Sequence, residues 1–246
     1  MPPINVLIKP VSSSCNLRCS YCFYRDIAEN RKIYNYGIMK DEVLEVLVKK
    51  VFEYGDHFVG FVFQGGEPTI IGIDFYKRLI DLQKKYNLKK IKVNNAIQTN
   101  GIAIDAEWAQ FLSRNDFLVG ISLDGPKDIH DCNRIDANEK GSFNRVQKAI
   151  GFLNKYKVEF NILCVVTKLV ATHTDMVYNF FSKKGFEYLQ FIPCLDELNK
   201  EPGGNKYSLT PEDYGIFLKR LFDLWYKDFI EGRKVSIRLF DNIIRI

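Results

Sequence analysis

The sequence predicts an α/β fold in which helices cover a parallel sheet. Six short apolar runs recur along the chain, at 4–9, 58–64, 91–99, 117–122, 158–167 and 188–193. Segments with helical periodicity separate them, and strands that read as near-continuous apolar runs between helices belong to sheets covered on both faces. No G-x-G-x-x-G follows any run, which weighs against a dinucleotide-binding sheet. Right-handed crossovers then leave an open doubly wound sheet or a barrel, complete or partial.

The elements follow in order. The run INVLIK (4–9) leads into a polar segment, SSSCNLRCSYCFYRD, at 12–26. Within 39–54, Leu44, Leu47, Val48, Val51 and Phe52 fall at the i, i+3, i+4, i+7, i+8 spacing of one buried helix face. FVGFVFQ (58–64) is the second strand, ending at Gly65-Gly66-Glu67. IKVNNAIQT (91–99) and FLVGIS (117–122) are the third and fourth, followed by the turn dipeptides Asn100-Gly101 and Asp124-Gly125. In 142–156, Phe143, Val146, Ile150 and Leu153 nearly repeat the helical spacing, and VEFNILCVVT and YLQFIP supply strands five and six.

Residues 196–209, polar with Gly and Pro, read as a long loop. A helix then starts at TPED, with Thr210 as N-cap, Pro211 at the first helical position and carboxylates in the first turn. Its expected apolar face is Phe217, Leu218, Leu221, Phe222, Trp225 and Phe229. KVSIRLFDNIIRI reads as a seventh strand and the start of another helix, and stopping mid-element reads as a truncation.

Composition excludes several classes. With 246 residues, 46% apolar and 26% charged, the chain can bury a sizeable core, and 19 Phe with 13 Tyr argue against disorder. The net charge of +5 is spread among carboxylates with no basic stripe, so nucleic acid is not an expected partner. No apolar run is long enough for a membrane span, and the N-terminus carries no signal-peptide pattern. The default expectation is a monomer in the cytoplasm, where clustered cysteines serve as metal ligands or redox groups rather than disulfides.

Three of the six cysteines, Cys15, Cys19 and Cys22, lie within eight residues, and the others lie more than 100 residues downstream. A structural zinc site wants four protein ligands, usually as two separated pairs. A [4Fe–4S] cluster has four irons, normally each on one thiolate, so three thiolates leave one iron open to a ligand from outside the protein. Past the second strand, Gly65-Gly66 lets backbone approach a ligand and Glu67 offers a carboxylate, though such a turn is often only a turn. Gln98, Thr99, Asn100, Ser122 and Asp124 stand at strand ends where a parallel barrel carries its active-site rim, or cap those ends. Arg134 has the fork that grips a carboxylate. His57, His130 and His173 show no ligand spacing and read as surface or capping residues; Cys164 reads as a packing residue, Cys194 as packing or, from its strand end, as a neighbour of the site, and Cys132 as incidental.

The spacing C-x3-C-x2-C in CNLRCSYC, with Tyr21 before the last cysteine, resembles the radical S-adenosylmethionine superfamily. That resemblance implies a partial (β/α)6 barrel over 1–195 with an extra C-terminal helix and strand, and a [4Fe–4S] cluster on Cys15, Cys19 and Cys22. It implies S-adenosylmethionine as the outside ligand, its amino group at the Gly65-Gly66-Glu67 motif, its carboxylate at Ser122 and Arg134, and Tyr21 and Leu195 in its site. LIKPVSSSCNLRCSYCFYRDIAENR, FQGGEPT, QTNGI, LDGPKDIH and LQFIPCLD together look like the anaerobic sulfatase-maturating enzymes. That closer resemblance implies oxidation of a Cys or Ser of a sulfatase to Cα-formylglycine, an electron donor such as flavodoxin or ferredoxin, and Tyr24, Gln64 and Gln98 facing the substrate. It also implies that 196–246 lead into a cysteine-rich auxiliary-cluster domain outside this chain. The alternatives are another peptide-modifying radical enzyme, thioether-forming or epimerising, and a non-catalytic module stabilised by zinc.

Overall fold

The computed structural model describes residues 3–244. In chain order the elements are β1 (Ile4–Ile8), α1 (Phe23–Glu29), α2 (Asp41–Tyr54), β2 (Phe58–Phe63), α3 (Ile73–Tyr86), β3 (Lys92–Thr99), α4 (Ala106–Arg114) and β4 (Phe117–Ser122). They continue with α5 (Lys127–Asn133), α6 (Phe143–Lys155), β5 (Phe160–Val166), α7 (Lys168–Thr172), α8 (Thr174–Lys183) and β6 (Tyr188–Pro193). The last are α9 (Pro211–Ile230), β7 (Ser236–Ile237) and α10 (Arg238–Ile244). All six apolar runs form strands, four of them shortened by one to three residues, and the seventh strand is a two-residue stub.

The strands are ordered β1 to β7 as in sequence. A doubly wound sheet reverses its order at a switch point, so this order selects the barrel-type alternative. The chain forms two compact units. The first holds the chain up to Asn16, Arg31–Gly120 and Lys148–Glu159; the second holds Leu17–Asn30, Ile121–Gln147 and the chain from Phe160 onward.

In the first unit β1, β2 and β3 are parallel, with Val6 opposite Phe61 and Phe61 opposite Asn95. Leu44, Val48, Val51 and Phe52 of α2 are buried, as their spacing requires, with Leu47 half-buried. The core is aromatic: Tyr76 of α3 meets Phe63 edge-on at 5.0 Å and Trp108 of α4 at 5.3 Å, the favoured geometry for ring quadrupoles.

In the second unit β5 and β6 are parallel, with Cys164 opposite Phe191, and Phe191 packs at a tilt against Phe181 and edge-on against Phe217 in the core. Helix α9 starts as expected, the Thr210 hydroxyl accepting from the Asp213 N–H at 3.0 Å with Pro211 in the first turn. Its buried stripe is narrower than the sequence suggests. Phe217, Leu221 and Trp225 are buried, whereas Phe222 and Phe229 are exposed. The buried Asp228 occupies the place a further apolar side chain would take, accepting from Tyr178 at 3.0 Å and Ser182 at 3.2 Å. No helix among the described residues is long and apolar enough to cross a membrane.

Candidate functional site

The candidate residues fall in both units and are taken unit by unit. In the first, β2 delivers the chain into the turn Gln64-Gly65-Gly66-Glu67. Gln64 is half-buried, and its N–H donates to Ile8 O at 3.0 Å. Gly65 and Gly66 have φ of +102° and +61°, the left-handed region that favours glycine. A Cβ at Gly66 would lie 2.5 Å from Ser14 O, so this turn closes tightly on the residue before Cys15. The Glu67 N–H completes the grip with a 2.8 Å bond to the same Ser14 carbonyl.

The Glu67 side chain is 1% exposed. Oε1 accepts from the Thr69 N–H (3.1 Å), the Thr69 hydroxyl (2.6 Å) and the Thr99 hydroxyl (2.7 Å), and Oε2 from the Asn100 N–H (2.7 Å). Burial raises its pKa, against the pull of these bonds. The carboxylate braces its own turn to the end of β3. Asn100 is buried beside it and donates from Nδ2 to Asn16 Oδ1 at 2.8 Å and to Cys15 Sγ at 3.8 Å. Gln98, half-buried near the same strand end, lies across Gly120: a Cβ there would sit 2.0 Å from Gln98 Oε1.

In the second unit, main-chain bonds stitch the remainder of the cysteine segment to the end of α5. The Arg18 N–H donates to Ile135 O at 2.6 Å, and the Ser20 N–H to Asn133 O at 3.0 Å. Cys19 and Cys22 are half-buried, and Cys22 is the N-cap residue of α1. Tyr21 is buried and its hydroxyl donates to Asp124 Oδ2. Arg134 holds the same carboxylate with two bonds, Nε to Oδ2 at 2.8 Å and Nη2 to Oδ1 at 3.1 Å, and lies 5.4 Å above the Tyr21 ring. The Val165 N–H adds a fourth bond to Oδ1 at 3.0 Å. Burial pushes Asp124 up, but the Arg134 charge and these bonds outweigh it and hold the carboxyl below its ordinary range.

His130 corrects the surface-or-capping expectation. It is fully buried, with Nδ1 accepting from the Asp124 N–H at 3.3 Å and Nε2 facing the Ser142 hydroxyl at 2.9 Å. That hydroxyl donates onward to Arg134 O at 2.9 Å, so Nε2 carries the ring proton. Burial lowers the His130 pKa to about 4, leaving a neutral ring that supports Asp124 and Arg134 from behind. No ligand-like spacing marks it; the signal available was its place midway between these two residues. His57 and His173 are at the surface, and Cys164 and Cys194 are buried packing residues.

Ser122 ends β4 and is buried. A cavity of about 220 Å³ in this unit is lined by Cys19, Tyr21, Cys22, Leu195 and Tyr207, with charged residues of α1 and of the 195–200 loop at its edge. Tyr24 is half-buried on α1, its ring 4.1 Å from that of Phe23.

Residues 10–176 match the family model of the radical SAM superfamily. The chain belongs to the radical SAM superfamily. The cysteine-type anaerobic sulfatase-maturating enzyme of Clostridium perfringens is 54% identical over 244 residues, 99% of this chain and 66% of the relative. The serine-type anaerobic sulfatase-maturating enzyme of Bacteroides thetaiotaomicron is 35% identical over 260 residues, 98% of this chain and 61% of the relative. A solved structure of anSMEcpe with bound AdoMet and the Cp18Cys peptide superimposes with a TM-score of 0.93 at 53% identity, covering 98% of this chain and 64% of that one. The chain thus spans about two thirds of the length of the curated relatives it matches. Its sheet is the radical SAM type of α/β sheet that the sequence predicts.

Superfamily members use a [4Fe–4S] cluster and S-adenosylmethionine. The residues present fit the cluster. The donor set is thiol-only, as cluster irons prefer, and Asn100 directs an N–H at one sulfur. Among the described residues no three His, Cys, Asp or Glu side chains converge as a single metal ion would need. Thiolates on a cubane bind different irons and need not meet at one point.

Proposed function

We propose that this chain is the radical-generating core of a cysteine-type anaerobic sulfatase-maturating enzyme. The observation that carries the reading is 54% identity to such an enzyme along 99% of the chain, against 35% to a serine-type one. In this reading Cys15, Cys19 and Cys22 bind three irons of the cluster. When bound, the cluster and S-adenosylmethionine would supply the one-electron chemistry for removing a hydrogen atom from a substrate side chain.

The chain's own residues bind and orient. Gly65 and Gly66 bring bare backbone to the cofactor's amino group while the Glu67 carboxylate holds the turn shut. Ser122 and Arg134 face the cofactor's carboxylate, with Arg134 preset by Asp124, and Tyr21 and Leu195 line the cofactor's pocket. Tyr24, Gln64 and Gln98 face a sulfatase peptide whose Cys becomes Cα-formylglycine. The protein works as a cytoplasmic monomer fed by a flavodoxin- or ferredoxin-type donor, and residues 196–246 lead into an auxiliary-cluster domain.

The test is anaerobic reconstitution of the 246-residue protein, then incubation with dithionite, S-adenosylmethionine and a cysteine-containing sulfatase peptide. The expected result is four irons and four sulfides per chain and formation of 5′-deoxyadenosine, both lost in Cys→Ala variants at 15, 19 and 22, with little formylglycine from this length of chain. Stoichiometric zinc without sulfide overturns the reading.

A further inference from the structure

Asn100 sits one residue past β3, buried, with its N–H and both side-chain polar atoms engaged. Its N–H donates to Glu67 Oε2 at 2.7 Å, and its Oδ1 accepts from the Ile102 N–H at 3.0 Å. The second contact fixes the amide orientation, because only the oxygen can accept from an N–H. Nδ2 therefore faces the cysteine segment, giving one hydrogen to Asn16 Oδ1 at 2.8 Å and the other to Cys15 Sγ at 3.8 Å. Glu67, which anchors Asn100, also holds Ser14 through its own N–H, so donor and sulfur are tied to one braced turn.

We propose that Asn100 is a positioning residue that raises the reduction potential of the cluster by donating a hydrogen bond to the Cys15 sulfur. The inference rests on the reading of Cys15 as an iron ligand. Reduction adds one electron to the cluster, some of that charge falls on the cysteine sulfurs, and the positive end of an N–H dipole favours the reduced state. No bond is made or broken at Asn100, and no proton moves. The residue acts through Cys15.

The experiment is an EPR-monitored redox titration, with dithionite as reductant, of the reconstituted 246-residue protein, Asn100→Asp and Asn100→Ala. Asn100→Asp keeps an oxygen for the Ile102 N–H but replaces the donor with a negative acceptor, whereas Asn100→Ala removes both. With four irons and four sulfides retained, the midpoint falls in Asn100→Ala and falls further in Asn100→Asp. A midpoint in Asn100→Asp equal to or above that of the unmodified protein, at full cluster content, overturns the proposal. So does failure of both variants to take up the cluster while their circular dichroism stays native, since Asn100 then serves assembly. If the unmodified protein itself takes up no cluster, the reading of Cys15 fails instead, and the two failures are told apart by iron and sulfide analysis alone.

Discussion

Glu67 in the first unit and Asp124 in the second are both 1% exposed, both follow a strand, and both accept four hydrogen bonds. Their electrostatics are opposite. The donors to Glu67 are all neutral, so burial wins and its pKa rises. Asp124 faces a guanidinium, and its pKa falls despite equal burial. Hydrogen bonds from neutral groups suffice to shape a turn, but holding a charge in the interior takes an opposite charge. The turn of the first carboxylate grips residue 14 and the second carboxylate grips residue 21, at the two ends of the cysteine segment.

The largest expected effect comes from breaking the charged hub. Arg134→Met leaves Asp124 buried without its counter-charge, and removing one partner of a buried pair costs about 3–5 kcal/mol. Urea unfolding of the two proteins measures it, and a loss below about 1 kcal/mol would show that water reaches the pair. In the other unit Gly66→Ala puts a Cβ in left-handed backbone against Ser14 O, at a cost of about 1–3 kcal/mol in backbone strain alone. Because the displaced atom belongs to the residue before Cys15, reconstituted iron content is expected to fall along with stability. Full iron at native stability would show that the turn moves freely.

Tyr21→Phe keeps the ring under Arg134 and removes one bond to Asp124, and is expected to cost about 1 kcal/mol by the same unfolding measurement.

The smallest effect tests the comparison most directly, through pH. A carboxyl whose pKa is raised on folding contributes stability that is full below its ordinary value, here 4.5, and declines as pH rises through the folded value. One whose pKa is depressed contributes stability present above its ordinary value, here 3.8, and lost as pH falls through the folded value. The advantage of the unmodified protein over Glu67→Gln should therefore shrink as pH rises from 4.5, while its advantage over Asp124→Asn should shrink as pH falls below 3.8. Urea midpoints at stepped pH measure both slopes, and slopes of the same sign would show that the two carboxylates are not in opposite states.

Much of the fold was legible in single stretches of chain. FLVGIS and YLQFIP became strands residue for residue, because apolar runs between helical periods have few other ways to satisfy backbone and side chains at once. The start of α9 was legible because Thr210 and Pro211 act within one turn of themselves. The far side of α9 was not. Whether Phe222 or Asp228 turns inward depends on Tyr178 and Ser182, which are more than 40 residues away. His130 was misread for the same reason: its partners are the Asp124 N–H and the Ser142 hydroxyl, and a lone histidine carries no trace of either.

The sequence by itself determined the alternation of strands and helices, the thiol spacing and the glycines of the Gly65-Gly66 turn, since each depends on contacts or dihedral limits a few residues apart. Only the tertiary structure decided what the charged and amide groups do. Glu67 braces its turn, Asp124 takes up the Arg134 fork, and Asn100 aims a donor at Cys15. The physical reason is that a polar side chain is defined by its partner, and burial makes that partner obligatory without indicating where along the chain it lies.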